Sequence, residues 1–227
     1  MVVVILVGIL TVMAIPTMAE ARFAAHTLDD ATKIAEIFRE GRTRAMARGA
    51  AELVTMQSAS NLTWTTGAEL GQFTLFEAQV PPLAGIASPW VSTTTPGNPL
   101  PGGSPLNACG GPLTNWASIT TTNAATSQID YLTLDGNLEN IAQIWTIIND
   151  NQAGGSPTSG SLCYTPLGRT YYQRNTLAPS FSPGVNVLHG NIQIAVQRSG
   201  LGAGGAATGV TRTVVIPDSG STRIFSQ

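Results

Sequence analysis

The chain has 227 residues, 43% of them hydrophobic and only 11% charged, far below the roughly 25% charge of an ordinary globular domain. A net charge of −2 and a pI near 5.6 exclude the large basic excess that marks general binders of nucleic acid or anionic membranes. The length allows one or two domains. Charge placement then divides the chain into three zones. Residues 1–19 carry none, twelve charges fall between Glu20 and Glu52, and twelve more are spread over the remaining 175 residues, with no Asp, Glu, Lys or Arg from Ala78 to Ile129.

Met1 to Ala19 reads MVVVILVGILTVMAIPTMA. As a helix it would measure roughly 28 Å, close to the ~30 Å hydrocarbon core of a bilayer. β-Branched residues on every face and no polar side favour lipid, or a bundle of like helices, as its surroundings. The alternative is a secretory signal cleaved after Ala19, where Thr17-Met18-Ala19 imitates a small-x-small site; that reading lacks a positive n-region. From Ala21 to Gly49 the pattern changes. Leu28, Ala31, Ile34 or Ala35, Phe38 and Ala45 recur near 3.6 residues, and Asp30, Lys33, Glu36, Glu40 and Arg44 take the other faces. Residues 20–50 are therefore predicted to be amphipathic helix. Acidic Asp29 and Asp30 precede Arg39, Arg42, Arg44 and Arg48, in keeping with the helix dipole. No Gly or Pro interrupts Thr17 to Glu40, so one helix is predicted to run through both zones, with Pro16 as a kink, Gly41 as a loosening point and Gly49 as C-cap.

The run from Met1 to Pro16 resembles the N-terminal helix of type IV pilins and type II secretion pseudopilins, whose signature is GFTLIE followed by an apolar run ending in Ile-Pro. Gly8 and Pro16 fall where that family keeps a Gly and a Pro. Ala35 to Gln57 (AEIFREGRTRAMARGAAELVTMQ) is similar to the GspH/FimT branch, in which an Arg/Ala-rich helix ends at Arg-Gly and feeds a strand. The resemblance thins beyond Gln57. It implies filament-core packing through Val4, Leu6, Gly8, Leu10 and Pro16, and a β-sheet wrapped on the second half of the helix. The prepilin-peptidase recognition sequence and its glutamate are absent from the chain, which begins about six residues inside the family motif. The expectation is a start placed at an internal methionine; loss of processing is the alternative, and would remove the family's lateral charge contact.

Residues 51–227 form the third zone. Glu52 to Gln57, Leu62 to Thr66 and Phe73 to Gln79 alternate or are β-branched and aromatic, as do Ile192 to Arg198, Val210 to Ile216 and Ser221 to Phe225. A long helix followed by antiparallel strands predicts an α+β fold. Between the strand groups, at about 80–180, lies a Gly/Pro/Thr-rich insertion expected to form ordered loops on the sheet. One helix is predicted inside it, with Leu138, Ile141, Ile144, Trp145 and Ile148 on one face and Asn137 as cap.

Chemistry-bearing patterns are few. Cys109 and Cys163, the two cysteines, predict a disulfide in an extracytoplasmic domain, with two separately buried thiols as the alternative. Metal binding is not predicted, because no second Cys or His sits at ligand spacing. Gly200, Gly202 and Gly205 satisfy GxGxxG, but β-branched residues rather than a helix follow, which reads as a hairpin tip. His26 and His189 lack the partners of a catalytic triad, and no cofactor motif is present. Trp64, Trp90, Trp116 and Trp145 read as core anchors, and Asn61-Leu62-Thr63 as a chance sequon. Some FimT-like minor pilins take up DNA through a C-terminal Gly-Arg-x-Arg; Gly220 to Arg223 here keeps one arginine, so Arg223, helped by Arg212 and Arg198, promises weak contact at most.

The expectation is thus a non-enzymatic filament subunit, a minor pilin or pseudopilin without cofactors. Its partners would be other pilin subunits, the bacterial inner membrane before assembly, and a tip adhesin or secretion machinery, with nucleic acid a lesser alternative.

Overall fold

A computed structural model describes residues 2–58, 71–80, 104–105, 109–110, 128–134, 143–150, 152, 155–177, 179–181, 186–199 and 207–226. The fold is α+β, with one N-terminal helix on antiparallel sheets. Helix α1 runs unbroken from Val2 to Arg48, 47 residues, or about 70 Å. It stops at Gly49, whose φ of 69° is left-handed and whose N–H donates to the Ala45 carbonyl at 3.1 Å. This is the turn that glycine closes without steric cost.

Eleven strands follow among the described residues: β1 (Glu52–Ser58), β2 (Gly71–Glu77), β3 (Gln79–Val80), β4 (Ser104–Pro105), β5 (Gln128–Thr133), β6 (Gln143–Asn149), β7 (Ser159–Tyr164), β8 (Thr170–Arg174), β9 (Asn191–Ser199), β10 (Ala207–Pro217) and β11 (Arg223–Ser226). They form a five-stranded sheet in the order β5-β2-β1-β7-β8, a four-stranded sheet β11-β10-β9-β6 and a small β3-β4 pair. Strand β1 lies between β2 and β7, with Val54 opposite Leu75 on one side and Leu162 on the other.

The inner faces of both larger sheets close on the second half of α1. One core joins Ala31, Ile34, Ala35, Phe38 and Ala45 of the helix to Val54, Met56, Phe73 and Leu75 of the first sheet and Ile194, Val196 and Val214 of the second. Phe38 meets the Phe73 ring edge-on, with centroids 6.2 Å apart. Gly41 faces the sheet: a Cβ there would lie 3.0 Å from Leu75 Cδ1 and 3.3 Å from Val54 Cγ2. Its role is close approach to the strands, where the sequence alone had predicted a loosening point. Leu28, expected on the packed stripe, is exposed, and Thr27 is buried in its place. Extending the stripe back from Ala31 by four residues gives Thr27, so the helix period itself sets this choice.

Two expectations about residues 80–180 are corrected. The predicted helix around Leu138 to Ile148 is strand β6 where it is described, with Thr146 and Ile148 buried and Ile147 and Asn149 exposed. β-Branched Ile and Thr at alternate positions fit a pleated face better than a helix. The segment is also more than loops laid on a sheet. It supplies β5, β7 and β8 to the first sheet and β6 to the second. The predicted strand Leu62 to Thr66, Asn61, Trp64, Trp90, Trp116 and the glycines from 200 to 205 lie outside the described residues.

Candidate functional site

The features that could carry function lie along α1. Its residues 2–19 are helical, and the two described side chains there, Val3 and Met18, are 71% and 70% exposed. Side chains of Val4, Leu6, Leu10 and Pro16 fall outside the described residues. Gly8 lies on the same helical stretch. Among the described residues no helix is long and apolar enough to cross a membrane, so the described structure gives this half as helix only.

At the other end of α1 sits a buried charge cluster that sequence reasoning missed. Glu52 and Glu77 are direct partners across β1 and β2, and both are fully buried. Arg48 Nη1 approaches Glu77 Oε2 at 3.0 Å, while Arg44 lies 3.8 Å from Glu52 and 3.9 Å from Glu77. Burial first, and the facing Glu77 second, push the Glu52 carboxyl up to about 8 against the pull of Arg44. Two like charges this close in a dry site do not both ionise, so Glu52 holds a proton at neutral pH. Arg39 and Arg42 make a second tie, with Arg39 Nη2 donating to the Thr222 carbonyl at 2.8 Å and Arg42 Nη1 to the Gly220 carbonyl at 2.6 Å. The four arginines of the last turns therefore fasten the helix to both sheets. The carboxyl pair thus acts as a clamp, tying Arg44 and Arg48 of α1 to β1 and β2.

A further polar tie joins the sheets to each other. Asp150, just after β6, accepts from the Tyr172 hydroxyl at 3.1 Å and pairs with Arg174 Nε at 3.3 Å, both on β8. Burial raises the Tyr172 phenol, and the nearby Asp150 charge raises it further. On the outer face of the first sheet Cys163 of β7 is bonded to Cys109 with an S–S distance of 2.09 Å. The bridge lies in a second core with Leu53, Phe76 and Phe181, so residues 109–110 are stapled to the sheet centre.

The three arginines considered for DNA contact do not converge. Arg212 stands opposite Val196 and Arg198 lies two residues beyond Val196, which puts both on the helix-facing side of the second sheet. Arg223 stands opposite Val215, on the other side. His26 is exposed on α1, and His189 is exposed beside Gly190. Among the described residues no group of three His, Cys, Asp or Glu could hold a metal ion.

No family model, curated protein or solved structure matches this chain. The candidate site consists of an uncharged half-helix, a half-helix clamped to the sheets, and the arginine pair Arg198 and Arg212.

Proposed function

We propose that the chain is a structural, non-enzymatic filament subunit, a minor pilin or pseudopilin of the GspH/FimT kind, in a type IV pilus or a type II secretion filament. One observation carries the reading: a single helix that is uncharged from residue 2 to residue 19 and whose second half packs one face on two antiparallel sheets. The resemblance of Met1 to Pro16 to the pilin core helix points the same way. In this reading the apolar half holds the subunit in the bacterial inner membrane with its head outside the cytoplasm. During assembly Val4, Leu6, Gly8, Leu10 and Pro16 pass from lipid to the apolar helices of neighbouring subunits. That transfer keeps apolar surface out of water at both ends, so no large hydrophobic penalty opposes it. The clamp at Glu52 and Glu77 keeps the head rigid on the helix while the stalk changes surroundings, and the surface of the 80–180 segment is left for a tip adhesin or secretion machinery.

Membrane fractionation of the full chain tests this. After alkaline carbonate extraction the chain stays in the membrane pellet, and Leu6→Asp with Leu10→Asp moves it to the supernatant. An extracted wild type, or an intact mass showing residues 1–19 removed, would overturn the reading in favour of a secreted β-rich binding protein.

A further inference from the structure

Arg198 and Arg212 differ from the other arginines of the helix–sheet contact. Arg39, Arg42, Arg44 and Arg48 each meet a carbonyl or carboxylate. Among the described residues neither Arg198 nor Arg212 pairs with a carboxylate, and the buried Nε of each has no hydrogen-bond partner. Register makes them diagonal neighbours on one face of β9 and β10, with Cα atoms about 7–8 Å apart. Both are half-buried, and the Arg198 guanidinium lies over the Phe23 ring at 4.0 Å from its centroid. That stacking fixes the plane of the fork and leaves its edge N–H groups for another acceptor.

Their position along α1 identifies the acceptor. Phe23 lies four residues beyond Ala19, the last of the uncharged run, or about 6 Å along the helix axis. The headgroup layer of a bilayer extends roughly 5–8 Å beyond the hydrocarbon on each side. With the apolar half in lipid, the arginine pair stands at phosphate depth. Glu20, Arg22 and His26, all exposed, flank Phe23 on the helix, and half-buried Asp30 lies two turns further along the same face; among the described residues none of these carboxylates forms an ion pair with either arginine.

We propose that Arg198 and Arg212 form a binding site for the phosphate of an anionic phospholipid, holding the stalk end of the head against the membrane before assembly. The proposal rests on the anchored reading above. Forked N–H donors match a phosphate's oxygens, which makes arginine suited to this ligand. On extraction into a filament the pair leaves the headgroup layer, so the same contact raises the work of extraction and acts as a retention point.

Liposome flotation of the full chain tests this, with vesicles of phosphatidylcholine alone and of equal parts phosphatidylcholine and phosphatidylglycerol. Wild type floats with both and partitions more strongly onto the anionic vesicles. Arg198→Gln with Arg212→Gln keeps flotation on phosphatidylcholine and loses roughly thirtyfold in partition onto the anionic vesicles, about fivefold per arginine. The double lysine variant, which keeps the charges, retains most of the increment, Arg223→Gln on the opposite face retains all of it, and high salt removes it. Circular dichroism confirms that each variant is folded. An anionic increment that survives the double glutamine change overturns the site. One abolished by inorganic phosphate at constant ionic strength makes it a free-anion pocket, and duplex DNA bound through these arginines with no lipid increment makes it a nucleic-acid contact; either overturns the lipid assignment. Failure to float on phosphatidylcholine is a different result, and overturns the anchor together with the site built on it.

Discussion

Between residues 27 and 48, α1 turns Thr27, Ala31, Ile34, Ala35, Phe38, Gly41 and Ala45 toward two sheets, whereas Val3 and Met18 of the first half stand exposed. The same backbone continues through both, so the difference lies in the side chains and not in the fold of the helix. The packed half has an apolar face and a charged face because it meets the two sheets with one side and water with the other. The first half has no charged face at all, since no charge occurs before Glu20. The second half owes its stability to this packing.

Substitutions can break this contrast, and the largest effect belongs to the packed half. Phe38→Ala removes a ring enclosed by both sheets and should cost about 3–5 kcal/mol, measured by denaturant unfolding in detergent micelles. Next is Gly41→Val, which drives a branched side chain into Leu75 and Val54 and should cost about 1–3 kcal/mol in the same assay. A third change sharpens the role of the clamp. The folded carboxyl of Glu52 titrates near 8, above its ordinary 4.5. The folded state therefore holds a proton that the unfolded chain releases, and stability from this group is full below about 4.5, falls as pH rises and levels off above about 8. Glu52→Gln should remove that fall and stabilise the chain at pH above 8 by about 1–3 kcal/mol, read from melting curves across pH; an unchanged slope would remove the buried proton from the account. Smallest of all, Leu10→Ala should shift head unfolding by no more than about 0.5 kcal/mol. A larger shift would mean that the stalk packs on the head.

How far these features could be read from the sequence depended on how local they are. The packed stripe from Ala31 to Ala45, the Gly49 cap and the strands at Glu52, Phe73, Ile192 and Val210 each rest on neighbours in the chain, where period and turn chemistry act. Around Ile144, Trp145 and Ile148 the apolar spacing satisfied a helix as well as a strand, and pairing with Ile194 and Val196 of β9 decided for the strand. The Glu52–Glu77 pair had no local signal, because register alone brings the two carboxyls together. Acidic residues at the ends of otherwise buried strands, followed back to Arg44 and Arg48 just before β1, were the trace it left. The Arg198 contact with Phe23 was hidden for the same reason: its partners lie at opposite ends of the chain and meet only because β9 returns to the helix.

The most direct test of the account is a photo-crosslinking residue at Leu10 in the cells that produce the chain. If the chain is a filament subunit, adducts between this helix and the apolar helices of other subunits form once assembly is active. Crosslinking that leaves the chain monomeric, with no subunit adducts, would contradict it.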